Sequence, residues 1–472
     1  MPVSREVRAL GRTLIRPRPW AGVLLVALAA IGLAYQVRPP YPLSFGSRTD
    51  AAFWRQVNGG EQDPTTHATY RWTTATSVLT LPGVGTADYR VRVDLSGGRP
   101  PGFPPPDLVI SVGPTEIAHL HPVPTRQTYE LLVPAPVVAA AQGDLPLTFR
   151  TRNPFSPPGD PRQLGVAVFG LTAVAGEGGL VAPPLRTGLL LAGAAGLIVL
   201  LLGLAGWGPG VQLAGGLVWV AAEAGFLVAD RLWLTPIPGT LVGVLLAAGG
   251  GLLLLGPLWR LLYRAGGIPW PEPDQRWLLG IYAAAFVARL AGQLHPQTVV
   301  IDLIFHQHRL EQVLGGQLLF TIKSDEWGGR ETFYLPTPYL FMRPLQWLLN
   351  DELLTIRVFT VALDTLGVFL VYYLARRAFA DGRAGLLAAG LQVTLPLAVL
   401  PFSWGITANL FGQFAGLAAV TLAVGCFDRL TRPGPWLLLV AVLTAAFLSH
   451  PGSVQLSGLL IGGLLVAWGL GV

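Results

Sequence analysis

Three side chains that could take part in chemistry lie close together in the stretch HPQTVVIDLIFHQHRLEQVL, residues 295–314. On a helix, Asp302, His306 and Arg309 fall at positions i, i+4 and i+7, which share one face. A carboxylate can accept a proton, an imidazole can bind a proton or a metal ion, and a guanidinium can hold a phosphate in its planar fork. Because apolar residues lie beside these groups, the stretch predicts an amphipathic helix along a membrane surface.

The composition of the chain is that of an integral membrane protein. Hydrophobic residues make up 52% of the 472 residues, charged residues make up 12%, and the mean hydropathy is +0.53. The net charge of +6 comes from arginines in short loops between apolar runs, so it predicts topology rather than nucleic-acid binding. Cys426 is the one cysteine, which excludes a disulfide or a cysteine-ligated metal within one chain.

The first half of the chain predicts an anchor followed by a β-domain. Residues 1–19 are basic and predict a cytoplasmic N-terminus, and the apolar run at 20–37 predicts a transmembrane anchor. A signal peptide is the alternative, but no small-x-small cleavage site follows the run. Residues 41–184 contain short alternating stretches such as SVLTLPG and YRVRVDL between Pro and Gly. They predict an extracytoplasmic, jelly-roll-like β-sandwich of roughly eight strands.

The remainder of the chain predicts further membrane spans. Together with the anchor they make a polytopic α-helical membrane protein with about ten transmembrane helices. The predicted spans after the anchor lie at about 185–207, 211–229, 238–262, 276–294, 354–375, 384–402, 409–427, 435–449 and 454–472. Counted from a cytoplasmic N-terminus, the arginine-rich short loops fall inside the cell, as the positive-inside rule requires. The same count places residues 295–353, here called the long loop, on the same side as the β-domain.

The second half of the chain resembles a known superfamily. A span, a long loop opening with an Asp on an amphipathic helix, an aromatic second helix and further spans resemble the GT-C superfamily of integral-membrane glycosyltransferases. VVIDLIFHQHRLEQVLGGQL followed by WGGRETFYLPTPYLF is similar to the first external loop of its bacterial members. It is also similar to bacterial membrane proteins described as related to pyruvoyl-tetrahydropterin synthase. The resemblance covers residues 276–472, and residues 185–275 add transmembrane helices before it.

The resemblance implies a fold, a reaction and a location. The enzyme would transfer a sugar from a polyprenyl-phosphate donor to an extracytoplasmic glycan or protein acceptor, as a multi-pass protein of the plasma membrane. Asp302 would be the catalytic base that takes the proton of the acceptor hydroxyl. Relatives often carry paired acids at this point, whereas Leu303 follows Asp302 here. The donor phosphate would be bound by arginine, for which Arg309, Arg330 and Arg343 are candidates, each otherwise an anchor at the membrane interface.

Three other polar residues are candidates for binding substrate. His306 lies in the long loop, and Asn409 and His450 lie in short uncharged turns on the predicted face of Asp302. The structural alternatives are a helix cap for Asn409 and an ordinary Pro-Gly turn after His450. His306 and His308 could also ligate a divalent metal with Asp302. Histidines in such loops more often form hydrogen bonds, so the sequence assigns no metal ligand and no definite cofactor.

A function of another class stays open. The chain could be a non-catalytic membrane protein that exports, flips or scaffolds a cell-surface polysaccharide. Transporters usually place charged groups at mid-membrane, whereas the predicted spans contain few, namely Glu223, Arg289 and Asp364. In either case the β-domain could bind glycans through aromatic side chains, unless these pack in its core; the candidates are Trp54, Tyr70 and Trp72.

Overall fold

A computed structural model describes residues 18–265, 272–323, 328–430 and 432–450, together with Gly452, Gln455, Gly458, Leu459, Gly462, Gly463 and Val466. The predicted cytoplasmic segment therefore lies almost wholly outside the described residues, as does most of the last predicted span. The adjacent acids Asp325 and Glu326 also lie outside them. The described chain consists of a β-domain held against one end of a set of helices.

The β-domain is a nine-stranded antiparallel sheet, one strand more than the sequence pattern predicts. Helix α1 (Arg18–Ala34) precedes it, and the short helix α2 (Ala135–Ala140) lies within it. The strands are β1 (Tyr41–Ser44), β2 (Trp54–Gln62), β3 (Thr69–Leu81), β4 (Tyr89–Ser96), β5 (Leu108–Val112), β6 (Thr115–Leu120), β7 (Gln127–Val133), β8 (Leu145–Thr151) and β9 (Ala167–Ala175). They follow the order β6-β5-β8-β3-β9-β4-β7, with β1 beside β9 and β2 beside β3. Strand β3 pairs with β9 near its start and with β8 along its second half, so it joins the two parts of the sheet.

Alternation along the strands builds the core of the β-domain. In β4 the residues Val91, Val93 and Leu95 are buried, because successive side chains of a strand point to opposite faces. Trp54 belongs to this core and packs edge-on against Phe45, with ring centroids 5.1 Å apart. Tyr70 and Trp72 are half-buried, packed against Phe169 and Phe155 respectively. Of the three aromatic candidates for glycan binding, Trp54 is therefore a core residue.

Five of the described helices are long and apolar enough to cross a membrane. The helices after the β-domain are α3 (Leu185–Leu204), α4 (Pro209–Ala229), α5 (Arg231–Leu234), α6 (Pro238–Ala265), α7 (Glu272–Gln293), α8 (Leu303–Leu314), α9 (Thr337–Leu349), α10 (Glu352–Phe379), α11 (Gly382–Thr394), α12 (Pro396–Trp404), α13 (Thr407–Gly425) and α14 (Pro433–Phe447). The five are α3, α4, α6, α10 and α13, while α1 and α14 are shorter apolar helices. The predicted span at 384–402 is two helices, α11 and α12. Leu395 between them is extended (ψ 128°) because Pro396 disfavours a helical conformation in the residue before it.

A buried arginine makes contacts that link the β-domain to the helices. Arg231 is 2% exposed and donates hydrogen bonds to the hydroxyl of Tyr41 (2.7 Å) and to the backbone oxygens of Val84 (3.1 Å), Ala34 and Val37 (both 3.0 Å). Its guanidinium carbon lies 4.1 Å from the ring centroid of Tyr35. A cation–π contact and four hydrogen bonds therefore connect α5 with the end of α1 and with the β-domain.

The β-domain and the start of the long loop meet at the same end of the helices. The hydroxyl of Thr235, just after α5, donates to the backbone oxygen of Pro82 in the β-domain (2.7 Å). Two residues earlier, the ring of Trp233 stacks on His295, with centroids 4.7 Å apart, and its backbone oxygen lies 2.8 Å from the Nε2 atom of His295. The turn after α4 thus contacts both the β-domain and the start of the long loop.

Candidate functional site

The long loop forms two packed helices with a small hairpin between them. Strands β10 (Phe320–Lys323) and β11 (Glu331–Tyr334) pair antiparallel, and α8 and α9 lie on either side of them in the chain. Residues Leu303, Leu310 and Val313 of α8 are buried against Tyr339 and Met342 of α9. Hydrophobic burial on one face of each helix therefore fixes the positions of the polar groups on the other faces of the same helix.

Asp302 lies at the N-cap of α8 rather than inside the helix. The loop before it contains Pro296 and the β-branched run 298–301, whose residues have low helix propensity, so the helix begins later than the sequence pattern predicts. The backbone N–H of Asp302 donates to the carbonyl of Trp404 (3.1 Å), which ties this point to the end of α12. The Asp302 side chain makes no capping hydrogen bond to the first turn of α8.

A glycine allows the long loop to lie close to the end of α12. Gly405 has φ +79°, a conformation that residues with a Cβ atom rarely adopt. A Cβ atom at this position would come within 2.3 Å of a methyl carbon of Val300. The backbone on either side of Asp302 is therefore held against the turn between α12 and α13.

His306 is buried and connects three elements. It is 1% exposed; its Nδ1 atom lies 2.7 Å from the hydroxyl of Tyr339, and its Nε2 atom accepts the backbone N–H of Thr407 at 3.2 Å. Burial, followed by the charge of His450, lowers the pKa of His306 to about 4, so the ring is neutral at pH 7. Since Nε2 is an acceptor, the proton lies on Nδ1 and is donated to Tyr339. The lone pair of Nε2 is thus engaged by the backbone N–H of Thr407.

Two tyrosines connect His306 with Asp302 and Arg309. Tyr334 and Tyr339 hydrogen-bond to each other, and burial raises the pKa of Tyr334 to about 12 and that of Tyr339 well above its usual value. The negative charge of Asp302 raises both pKa values further, whereas the positive charge of Arg309 opposes this. A carboxylate, a guanidinium and two protonated phenols thus act on one another at the junction of α8, β11 and α9.

Arg309 is positioned by its neighbours on α8. Its Nη1 atom donates to the side-chain oxygen of Gln312 (2.7 Å), and its guanidinium carbon lies 5.2 Å from the ring centroid of Phe305. Phe305 in turn packs edge-on against Tyr334, with centroids 5.2 Å apart. These contacts hold the positive charge beside the tyrosine pair.

Of the other predicted site residues, some lie with this group and some do not. His450 lies near enough to His306 for its charge to lower the pKa of that ring. Arg343 stacks over Trp347 (5.8 Å), and its Nε atom is buried without a hydrogen-bond partner. Arg330 is exposed in the loop before β11. Asn409 accepts a hydrogen bond from Gln413 within α13 (3.1 Å), an ordinary contact along a helix. Asp302, His306, Arg309 and His450 thus form one group.

A cleft between helices opens beside this group. It has a volume of about 420 Å³ and is lined by Ala288, Arg289, Gly292, Gln293, Thr298, Val299, Val399, Phe402 and Ser403. Arg289 of α7 pairs with Asp364 of α10, and its Nη2 atom is buried without a hydrogen-bond partner. The sequence contains a signal for this ion pair, because one predicted span carries an arginine and another carries an aspartate. The roles of Tyr334, Tyr339 and Thr407 had no comparable signal, since they depend on tertiary contacts.

Comparisons with known proteins do not extend this description. No family model, curated protein sequence or solved structure matches the chain.

Proposed function

We propose that the chain is a membrane glycosyltransferase that moves a sugar from a polyprenyl-phosphate donor to an extracytoplasmic acceptor, with Asp302 as the catalytic base. The observation that carries the proposal is the grouping of Asp302 with Arg309, Tyr334 and Tyr339. A base must accept a proton while a nearby cation binds the departing phosphate, and this group contains both functions. Phenols with raised pKa values stay protonated and add hydrogen-bond donors.

The surroundings of the group agree with a reaction between a lipid and a water-soluble acceptor. Helix α9 buries Tyr339 but exposes Phe341, Trp347 and Leu348 on its other side, as expected for a helix at a lipid boundary. The cleft beside Thr298 and Val299 is mainly apolar, so it could accept part of an isoprenoid chain. In this proposal the protein is a multi-pass protein of the plasma membrane, with the long loop and the β-domain outside the cell.

The test is release of polyprenyl phosphate by membranes containing the full chain, using polyprenyl-phosphate hexoses and pentoses as donors. Asp302→Asn keeps the shape of the side chain and removes the proton acceptor, so turnover should fall about 100-fold to 10,000-fold. Glu311→Gln is the matched control, because this acid is exposed on the same helix. Arg309→Ala should instead weaken donor binding, since it removes the cation near the phosphate. Unchanged turnover in Asp302→Asn would remove the catalytic base from the proposal.

A second candidate is a protein that exports or flips a cell-surface polymer. The paired charges of Arg289 and Asp364 lie between helices beside the cleft, and charged groups within spans often mark transport pathways. In that case Asp364→Asn would stop export of the polymer, while Asp302→Asn would leave it unchanged. If the protein is instead the proposed transferase, Asp302→Asn should greatly reduce its activity.

A further inference from the structure

A cluster of two histidines and one aspartate lies on the β-domain, apart from the long loop. Asp107 immediately precedes β5, His119 is in β6 and His121 immediately follows it. Among the described residues, these three form the group that could hold a metal ion, with their ligand atoms all within 4.8 Å of one another. Neither the proposed reaction nor the attachment of the β-domain uses them.

The pairing of β5 with β6 brings the three side chains together. Leu108 pairs with Leu120, so Asp107 lies opposite His121, and His119 is two residues from His121 on the same face. The two imidazole rings are 5.3 Å apart between centroids. The arrangement is thus set by strand register, which is more rigid than a chance meeting of flexible surface side chains.

Hydrogen bonds hold the backbone of Asp107, which carries the carboxylate. The N–H of Asp107 donates to the side-chain oxygen of Asn153 (2.8 Å), and its carbonyl accepts the N–H of Arg152 (2.9 Å). A second hydrogen bond, from the amide nitrogen of Asn153 to the carbonyl of Pro105 (2.8 Å), fixes Asn153. The guanidinium of Arg152 is 3.7 Å from the other oxygen of Asp107 and is exposed, so it can move aside.

The direct contact within the cluster shows where an ion would enter. The Nε2 atom of His119 lies 2.5 Å from Oδ1 of Asp107, so the two groups share a hydrogen bond. Tetrahedral zinc, at about 2.0–2.2 Å from each ligand, requires ligand atoms about 3.4 Å apart. The exposed ring of His119 can turn by this amount, and the metal then replaces the shared proton.

We propose that Asp107, His119 and His121 bind a divalent transition-metal ion, preferentially zinc, with a remaining coordination position open to solvent. Two imidazoles and one carboxylate are the donor set that zinc accepts, and harder ions such as Mg²⁺ and Ca²⁺ prefer all-oxygen sites. Three protein ligands leave one position for water or for an oxygen of an extracellular partner. The proposal is independent of the proposed transferase activity.

The test uses the full chain in detergent, stripped of metal with a chelator and titrated with zinc chloride by calorimetry. The chain should bind zinc at this site, and His119→Ala, His121→Ala and Asp107→Asn should each weaken that binding at least about 10-fold to 100-fold. His67→Asn is the control, because His67 is exposed on the same domain, outside the cluster, and Asn tolerates its positive φ of 56°.

Two further measurements separate the outcomes. Circular dichroism of each metal-free variant shows whether the fold survives, and all three should match the original chain because none of these side chains belongs to the buried core. Magnesium chloride in place of zinc chloride should give no binding at this cluster. Zinc affinity that is unchanged in a folded His119→Ala/His121→Ala double variant would overturn the proposal, as would absence of zinc binding by the original chain.

Discussion

At the scale of single residues, His306 shows what burial does to a titratable group. Its pKa is about 4 in the folded chain against 6.5 for a free side chain, so between these values the unfolded chain binds a proton that the folded chain does not. Stability contributed by the neutral ring is therefore fully present above pH 6.5 and is lost as the pH falls toward 4. The difference corresponds to about 3 kcal/mol.

We expect His306→Gln to flatten this pH dependence. The amide supplies a donor and an acceptor but does not titrate, so melting temperature should change less between pH 6.5 and pH 4 than in the original chain. At pH 7 the variant should be less stable by about 1–3 kcal/mol, because the hydrogen bonds to Tyr339 and Thr407 lose their geometry. The measurement is a series of thermal melts in detergent. His308→Gln, exposed on the same helix, is the control. Equal pH profiles for the original chain and His306→Gln would contradict this account.

At the scale of elements, the sequence predicted the type of secondary structure better than the residues at which each helix begins and ends. The period of apolar residues predicted the helical character of α8, but the helix starts at Leu303 because the β-branched residues before it disfavour a helix. The break at Pro396 could have been predicted from that residue alone. By contrast, the contact between His306, Tyr339 and Thr407 joins residues far apart in sequence, and no local pattern encodes it. The grouping of Asp302 with Arg309 was predicted; the tyrosines that complete it were not.

Helix α9 gives a prediction about the membrane boundary. Trp347 and Leu348 are 75% and 78% exposed, and we expect both side chains to contact lipid. Replacing Cys426, the one cysteine, by serine gives a background for nitroxide labels at Trp347→Cys and Leu348→Cys. These labels should be more accessible to oxygen than to a water-soluble nickel complex. A label at Arg330→Cys should show the reverse, since Arg330 is an exposed polar residue. Equal access of the nickel complex at all three sites would place α9 in water.

At the scale of the whole molecule, Arg231 determines how the β-domain is held. We expect Arg231→Met to leave the backbone oxygen of Val37 without its donor, at about 1–3 kcal/mol for that group, while Ala34 keeps the N–H of Val37 and Val84 keeps the hydroxyl of Tyr89. Hydrogen exchange measured by mass spectrometry should then rise in residues 34–41 and 82–86, while the strands far from the helices stay protected. Arg55→Met, at an exposed position of β2, is the control. Unchanged exchange in Arg231→Met would show that other contacts suffice.

The same contact has a consequence for biosynthesis. Arg231 and Tyr41 are 190 residues apart in the chain, so the hydroxyl is made long before the guanidinium that binds it. At translation rates of about 5–20 residues per second, that interval is about 10–40 s. Strand β9, which pairs with β1, β3 and β4, ends at Ala175, so all the strands of the β-domain have been made before the Arg231 contact can form. This part of docking is therefore a late step of maturation, completed only when α4 and the turn that follows it have been synthesised.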